Sequence, residues 1–387
     1  MPLQLLATAL HLYLGWRLVP PWWDQPVAAV LLAALLVTTW VLMPLSLRAA
    51  RVRSPRLASA LTWGGLVGLG LFSSLFVLTM LRDVALLAAA LLDLAAPGTL
   101  PLARLADLSG RAVPLVAAAM TLWGFLNARR TAGVVTVDVP ISGLPPALDG
   151  FTIAQISDIH IGPTIRGDYL AAIVQSVNRL DADMVAVTGD LVDGRVQDLA
   201  PHVAPLAALQ SRHGTYFVTG NHEYYSGATP WIAELRRLGL CVLLNEHVLL
   251  RHGDAALLVA GVTDWSAHHY DPAQRSDPHA AVLRHSARPR IAGAPAGETT
   301  IKVLLAHQPR SAEAAERAGF HLQLSGHTHG GQFWPWNLFV RLQQPFTAGL
   351  YRWRSLWVYV SRGTGYWGPP KRFGAPSEIT RVRLVSD

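Results

Sequence analysis

A single cysteine in 387 residues excludes an internal disulfide framework and any CxxC zinc site. That residue, Cys241, lies in the apolar run Leu240–Leu244 and reads as a buried strand thiol. Charge is scarce too. Only 15% of residues are charged against 51% hydrophobic, which is too apolar for an ordinary cytosolic enzyme. The shortage is uneven: residues 1–128 are nearly free of acids and Lys, and almost all the Asp, Glu and His lie after residue 130. The net charge of +7 comes from Arg flanking apolar segments, not from one basic stripe. That pattern favours a membrane surface and argues against nucleic acid as partner. No internal repeat or low-complexity tract is present.

The first 130 residues hold four apolar stretches: Leu3–Leu18, Val27–Leu47, Leu61–Met80 with a continuation toward Leu94, and Val113–Asn127. A bilayer span needs about 20 apolar residues. The second and third stretches meet that length, and the first and fourth are marginal. The first lacks a basic leading region and a small-residue cleavage site, so it reads as a helix and not a signal peptide. Arg48, Arg51, Arg53 and Arg56 mark the loop between the second and third stretches as cytoplasmic, with the Trp22–Trp23 pair at the opposite interface. Four crossings return the chain to the cytoplasm at Arg129 and Arg130, although Arg104 and Arg111 on the outer loop oppose this orientation.

From Val134 onward the texture changes. Short β-rich runs at Val134–Val139, Phe151–Ile156, Met184–Val187, Tyr216–Thr219, Leu257–Val262, Ile301–Leu305 and Leu322–Leu324 are interleaved with helical-period segments. Those are Tyr169–Leu180, Leu199–Gln210, Pro230–Leu238 and Ser311–Ala318, and further strands are expected at Leu356–Val360 and Ile379–Leu384. The alternation predicts an α/β fold with helices covering a sheet. The stretch His268–Gly297 reads as a long surface loop, with His268, His269, His279 and His285 as solvated histidines.

The chemistry lies just past the strands, where open α/β sheets place their sites. Asp158 and His160 follow the Phe151 run; Asp190 and Asp193 follow the Met184 run. Asn221, His222 and Glu223 follow the Tyr216 run, His307 the Ile301 run, and His327 and His329 the Leu322 run. Carboxylates, imidazoles and an amide together form a nitrogen/oxygen donor set suited to Mn, Fe, Zn, Co or Ni, with no thiolate to mark a structural zinc. Two such cations about 3.5–4 Å apart form a clamp for displacement at phosphorus. Glycines beside the ligands let the backbone turn sharply. Trp334, Trp336 and Phe339 follow the last block, and core or interfacial packing is their expected role, with a border to a lipid-accessible cleft as the alternative.

The ordered blocks Asp-x-His, Gly-Asp, Gly-Asn-His-Glu, His and Gly-His-x-His resemble the calcineurin-like metallophosphoesterase superfamily from about Phe151 to the C-terminus. The resemblance implies a metallophosphoesterase β-sandwich flanked by helices over residues 131–387, behind a multi-pass membrane domain over residues 1–130. It implies a hydrolase of phosphoester or pyrophosphate bonds, such as a phosphodiesterase, using two divalent metal ions such as manganese. Asp158, His160, Asp190 and His329 then hold one metal. Asp190 bridges to a second that Asn221, His307 and His327 complete. His222 assists the leaving group and Asp193 orients it. Gly194, where protein serine/threonine phosphatases carry Arg, the extended GHTHGGQ block and the segment Arg372–Thr380 are similar to the membrane-associated bacterial branch. Some relatives there cleave UDP-diacylglucosamine, so a lipid pyrophosphate is the expected substrate class. A soluble phosphate substrate with the helices as tether, and a metal-containing membrane sensor without turnover, are the competing readings.

Overall fold

The computed structural model describes residues 2–286 and 301–387. Two compact units emerge: residues 1–129 with 368–373, and residues 130–367 with 374–387.

The first unit is helical: α1 (Pro2–Leu18), α2 (Pro26–Ser46), α3 (Pro55–Ala95) and α4 (Leu102–Arg129). Proline occupies the first turn of α2 and α3, where its missing N–H costs nothing, and the Ser54 side chain caps α3 by accepting from Leu57 N. Helices α2, α3 and α4 are long and apolar enough to cross a membrane. At 17 residues α1 rises about 26 Å, short of a hydrocarbon core of about 30 Å. The third apolar stretch does continue. Helix α3 runs 41 residues, and its Arg82–Asp83 interruption is satisfied by partners on α1 and α4. Asp83 accepts from Tyr13 Oη at 2.8 Å and from Arg17 at 2.6 Å, and Arg82 donates to the Ala106 carbonyl.

Small residues let the helices approach. A Cβ on Gly65 would lie 2.3 Å from the Ser46 Cβ, so α2 and α3 touch through backbone. The segment Gly368–Phe373 packs with α3 and α4, a placement that the sequence did not announce. Lys371 Nζ donates to the Gly70 carbonyl at 2.9 Å and to Thr121 Oγ1 at 3.1 Å, while Arg372 N donates to the Gly124 carbonyl. The buried ammonium is therefore hydrogen-bonded, as its burial requires.

The second unit stacks two six-stranded sheets. Its strands are β1 (Gly133–Ile141), β2 (Thr152–Ile156), β3 (Met184–Val187), β4 (Thr215–Phe217), β5 (Cys241–Val242), β6 (Glu246–His252), β7 (Ala255–Gly261), β8 (Ile301–Leu305), β9 (Leu322–Ser325), β10 (Gly349–Trp353), β11 (Leu356–Val360) and β12 (Glu378–Ser386). One sheet has the order β1-β12-β2-β3-β4-β5, the other β10-β11-β9-β8-β7-β6. Strands β2 to β5 run parallel, as do β7, β8, β9 and β11. Inward residues such as Ile153, Met184, Leu257, Val303 and Leu324 form the core between the sheets. Alternate residues such as Leu258, Ala260 and Leu304 bury a second cluster on the outer face. Strands covered on both faces read as continuous apolar runs, which is why these were visible in the sequence.

Helices α5 (Gly167–Asn178), α6 (Val196–Val203), α7 (Asn221–Ser226), α8 (Ala228–Arg237), α9 (Pro278–Leu283) and α10 (Ala312–Arg317) connect the strands. Buried Trp231 on α8 donates its indole N–H to the Gly194 carbonyl at 2.8 Å and so pins the loop that carries Asp193. Cys241 is half-buried on β5, less enclosed than expected. Of the stretch expected as a long surface loop, residues 287–297 lie outside the described residues; the remainder forms short turns and α9.

Candidate metal centre

The parallel strands end on one side, and each expected residue sits just past one of them. Asp158 and His160 follow β2, Asp190 and Asp193 follow β3, and Asn221 and His222 open α7 after β4. His307 follows β8; His327 and His329 follow β9. The turns are tight. Asp158, His160, Asp190, His327 and His329 all have positive φ, between 50° and 70°, five of the nine such non-glycine residues described. Strained backbone of this kind persists where the surroundings over-determine it, commonly at sites of function. Two glycines clear the space: a Cβ on Gly220 would lie 2.2 Å from Asp190 Oδ1, and one on Gly326 would lie 2.1 Å from Asp158 Oδ2.

The side chains converge in three groups of metal-capable residues, one of them His160, Asp193 and His222, and Asp190 lies among them. Asp158, His160 and His329 bring ligand atoms within 4.8 Å of one another, as do Asp190, His307 and His327. The Nε2 atoms of His160 and His329 are 3.0 Å apart, and His307 Nε2 lies 3.2 Å from His327 Nδ1. Asp190 Oδ2 is 3.1 Å from His307 Nε2 and 3.9 Å from Nε2 of both His160 and His222. Imidazole nitrogens aimed at each other and at a shared carboxylate suit a cation between them. Asn221 supplies a separate test of fit. Its side-chain oxygen is buried without a hydrogen-bond partner among the described residues, which is costly unless an ion or water occupies the space beside it.

Asp193 holds two imidazoles at once. Its Oδ1 accepts from His222 Nδ1 at 2.6 Å and from His160 Nδ1 at 3.1 Å, which turns both Nε2 atoms toward the centre. His307 is oriented likewise, with Nδ1 2.7 Å from the Thr188 carbonyl. Such partners fix the tautomer and aim of a ligating histidine. Glu223, which sequence left open between a supporting and a turn residue, is fully buried. It accepts from the backbone N–H groups of Asp190, Leu191 and Gly220 at 3.0, 2.8 and 2.6 Å, clamping two site loops together.

The electrostatics follow from this crowding. Burial works against charge on His160, but Asp193, Asp190 and Asp158 outweigh it and lift the imidazole to about 9. Burial also opposes ionisation of Asp193, yet His160 and His222 hold it down to about 2. Burial and the Asp190 charge push Glu223 up to about 7. Burial, with His307 beside it, lowers His327 to about 3. Buried carboxylates this close together call for cationic compensation.

Several contributors were not read from sequence. Buried Glu378 accepts from Arg362 at 2.7 Å and from Tyr359 Oη at 2.6 Å, and the Thr364 N–H donates to the Ser157 carbonyl at 2.7 Å beside Asp158. The only sequence signal was the position of Glu378 in the late Arg372–Thr380 block. The Gln332 side chain holds Trp367 by a two-way amide contact, both bonds 2.8 Å, and the indole stands edge-on to His222. Trp336 and Phe339 are exposed and so lie outside the core, while Trp334 is half-buried. His268, His269, His279 and His285 enter no group of metal-capable side chains among the described residues.

Comparison with known proteins agrees with this geometry. The family description "calcineurin-like phosphoesterase" matches residues 151–331. A transmembrane protein with metallophosphoesterase domain from Bos taurus is 41% identical over 70% of this chain and 61% of its own length. An uncharacterized metallophosphoesterase from Helicobacter pylori is 38% identical over 60% of this chain and 59% of its own. The chain thus spans about six-tenths of these two relatives. An uncharacterized metallophosphoesterase from Aquifex aeolicus is 31% identical, and this chain covers 84% of it. The chain belongs to the calcineurin-like metallophosphoesterase family.

Proposed function

We propose that the protein is a membrane-anchored, dinuclear-metal phosphoesterase acting on phosphoester or pyrophosphate bonds of a lipid-linked substrate. In this reading residues 1–130 form the membrane domain and residues 131–387 the hydrolase, which faces the cytoplasm. The observation that carries it is the position of Asp190: one buried carboxylate whose Oδ2 is shared between the His160 side and the His307 side of the centre. Asp158, His160, Asp190 and His329 would hold one divalent cation, and Asp190, Asn221, His307 and His327 the other. Bound there, the cations would supply Lewis acidity, acidifying a water nucleophile and stabilising charge on the phosphoryl oxygens.

The chain's own residues do the rest. His222 donates Nδ1–H to Asp193 and turns Nε2 toward the centre; as the imidazolium it passes its Nε2 proton to the departing oxygen and is left neutral with Nδ1–H still on Asp193. Asp193 keeps that tautomer and stabilises the imidazolium. Glu223 fixes the loops bearing Asp190 and Asn221, so the donors are in place before substrate arrives. The lipid part of the reading draws on the apolar helices, on the transmembrane relative, and on the resemblance of the GHTHGGQ and Arg372–Thr380 blocks to the bacterial membrane branch.

The test is a substrate panel on the full chain in detergent with saturating Mn, Zn or Co. A lipid pyrophosphate such as UDP-diacylglucosamine should show a higher kcat/KM than nucleotides or p-nitrophenyl phosphodiesters. Preference for the soluble compounds would remove the lipid assignment, and metal-loaded protein inert on every compound would remove the enzyme assignment.

A further inference from the structure

The stretch that follows the histidine block forms an arch rooted in the metal centre. It leaves at Gly331, where a Cβ would fall 2.2 Å from the Asn337 backbone, so the two segments are locked together. It returns at buried Gln344, whose amide, in the orientation that satisfies its neighbours, accepts from His327 Nε2 at 3.3 Å and from Arg310. Between these roots lie two short 3₁₀ turns, Trp336–Leu338 and Val340–Leu342. Their side chains face outward: Leu342 is 81% exposed, Leu338 65%, Phe339 51% and Trp336 43%. A contiguous apolar crest of this kind marks an interaction surface, whereas scattered exposed leucines would not.

Charge narrows the partner. From Ala318 to Ser377 the chain has no Asp or Glu, while Arg341 on the crest itself and Arg352 are exposed. Trp, Phe and Leu beside Arg on a short helical segment is the composition that settles at a headgroup boundary, and basic residues without acids favour anionic lipid. The same chain carries three helices long and apolar enough to cross a membrane.

We propose that the crest Trp336–Leu342 is a bilayer-contact element that dips into the headgroup region of an anionic membrane and sets the metal centre beside lipid-borne phosphates. The inference rests on the reading that this chain is held at a bilayer. Its test reads depth and not turnover, so its failure is distinguishable from failure of the catalytic assignment.

The experiment uses the full chain with Cys241→Ser, reconstituted in vesicles of phosphatidylcholine and phosphatidylglycerol. Single cysteines replace Phe339 or Leu342 on the crest, or Asp254 on the exposed β6–β7 turn as reference, and each carries a nitroxide. Collision with oxygen, enriched in lipid, is compared with collision with a water-soluble nickel chelate. At Phe339 and Leu342 oxygen should dominate several-fold, with the reverse at Asp254. Nickel access at both crest positions equal to that at Asp254 would overturn the proposal. Shielding from both reagents, or spin–spin broadening between labels, would overturn it too, because the crest would then lie against this chain's own helices or a second copy.

Discussion

Replacing Asp193 by Asn separates the two jobs assigned to one carboxylate oxygen. The amide matches the carboxylate in shape but carries no charge and offers only one acceptor. In the native site Oδ1 accepts from His222 at 2.6 Å and from His160 at 3.1 Å. The His160 contact supports a ligand, and losing such a partner typically weakens metal binding about 10- to 100-fold, a deficit that excess metal restores. The His222 contact supports the proton donor, and excess metal cannot replace it. A hydrogen bond to a charged group contributes about 1.5–3 kcal/mol, or about 10- to 150-fold in rate. At saturating metal, Asp193→Asn should therefore retain a kcat deficit of that size on an alkyl phosphodiester and a smaller one on a p-nitrophenyl ester. Placed on a His222→Ala background, the same substitution should cost little more at saturating metal, since its catalytic route is already removed. Wild-type kcat in Asp193→Asn at saturating metal, or losses that multiply in the double variant, would refute the argument that Asp193 acts through His222.

Other outcomes follow from the same geometry. His222→Ala should keep its metals and lose about 10²- to 10⁴-fold in rate, less with p-nitrophenolate as leaving group; metal loss would show that His222 is a ligand. Glu223→Ala should lower the thermal midpoint, because it strips partners from three buried backbone N–H groups at about 1–3 kcal/mol each; an unchanged midpoint would contradict its clamping role. Reporters fused within Arg48–Arg56 and after Asp387 should both read as cytoplasmic, and one near Gly98 as external; an external signal at Asp387 would overturn the orientation.

The parts visible in the sequence were those whose physics is local. Strands such as β3 and β8, buried on both faces, read as unbroken apolar runs, and a polar residue directly after such a run announces a site loop. Asp158, Asp190, His307 and His327 all lay at that position, and they converge in the structure. What escaped depends on distant partners. Edge strands β6 and β10 carry too little pattern. The full length of α3 depends on Asp83 meeting Arg17, a residue 66 positions away. The Pro-Pro-Lys-Arg stretch has no apolar periodicity to announce a partner, yet Lys371 finds its acceptors on α3 and α4. Packing was the stronger expectation for Trp336 and Phe339, and only the fold places them outside.

The central claim is that two cations share Asp190, and metal content measured alongside turnover tests it most directly. Full-length protein stripped with chelator and titrated with Mn should bind two ions per chain, with phosphodiester hydrolysis appearing as the second site fills. Asp190→Asn should lose both occupancy and turnover. One ion at full activity, or an Asp190→Asn variant with wild-type metal content and rate, would contradict the account.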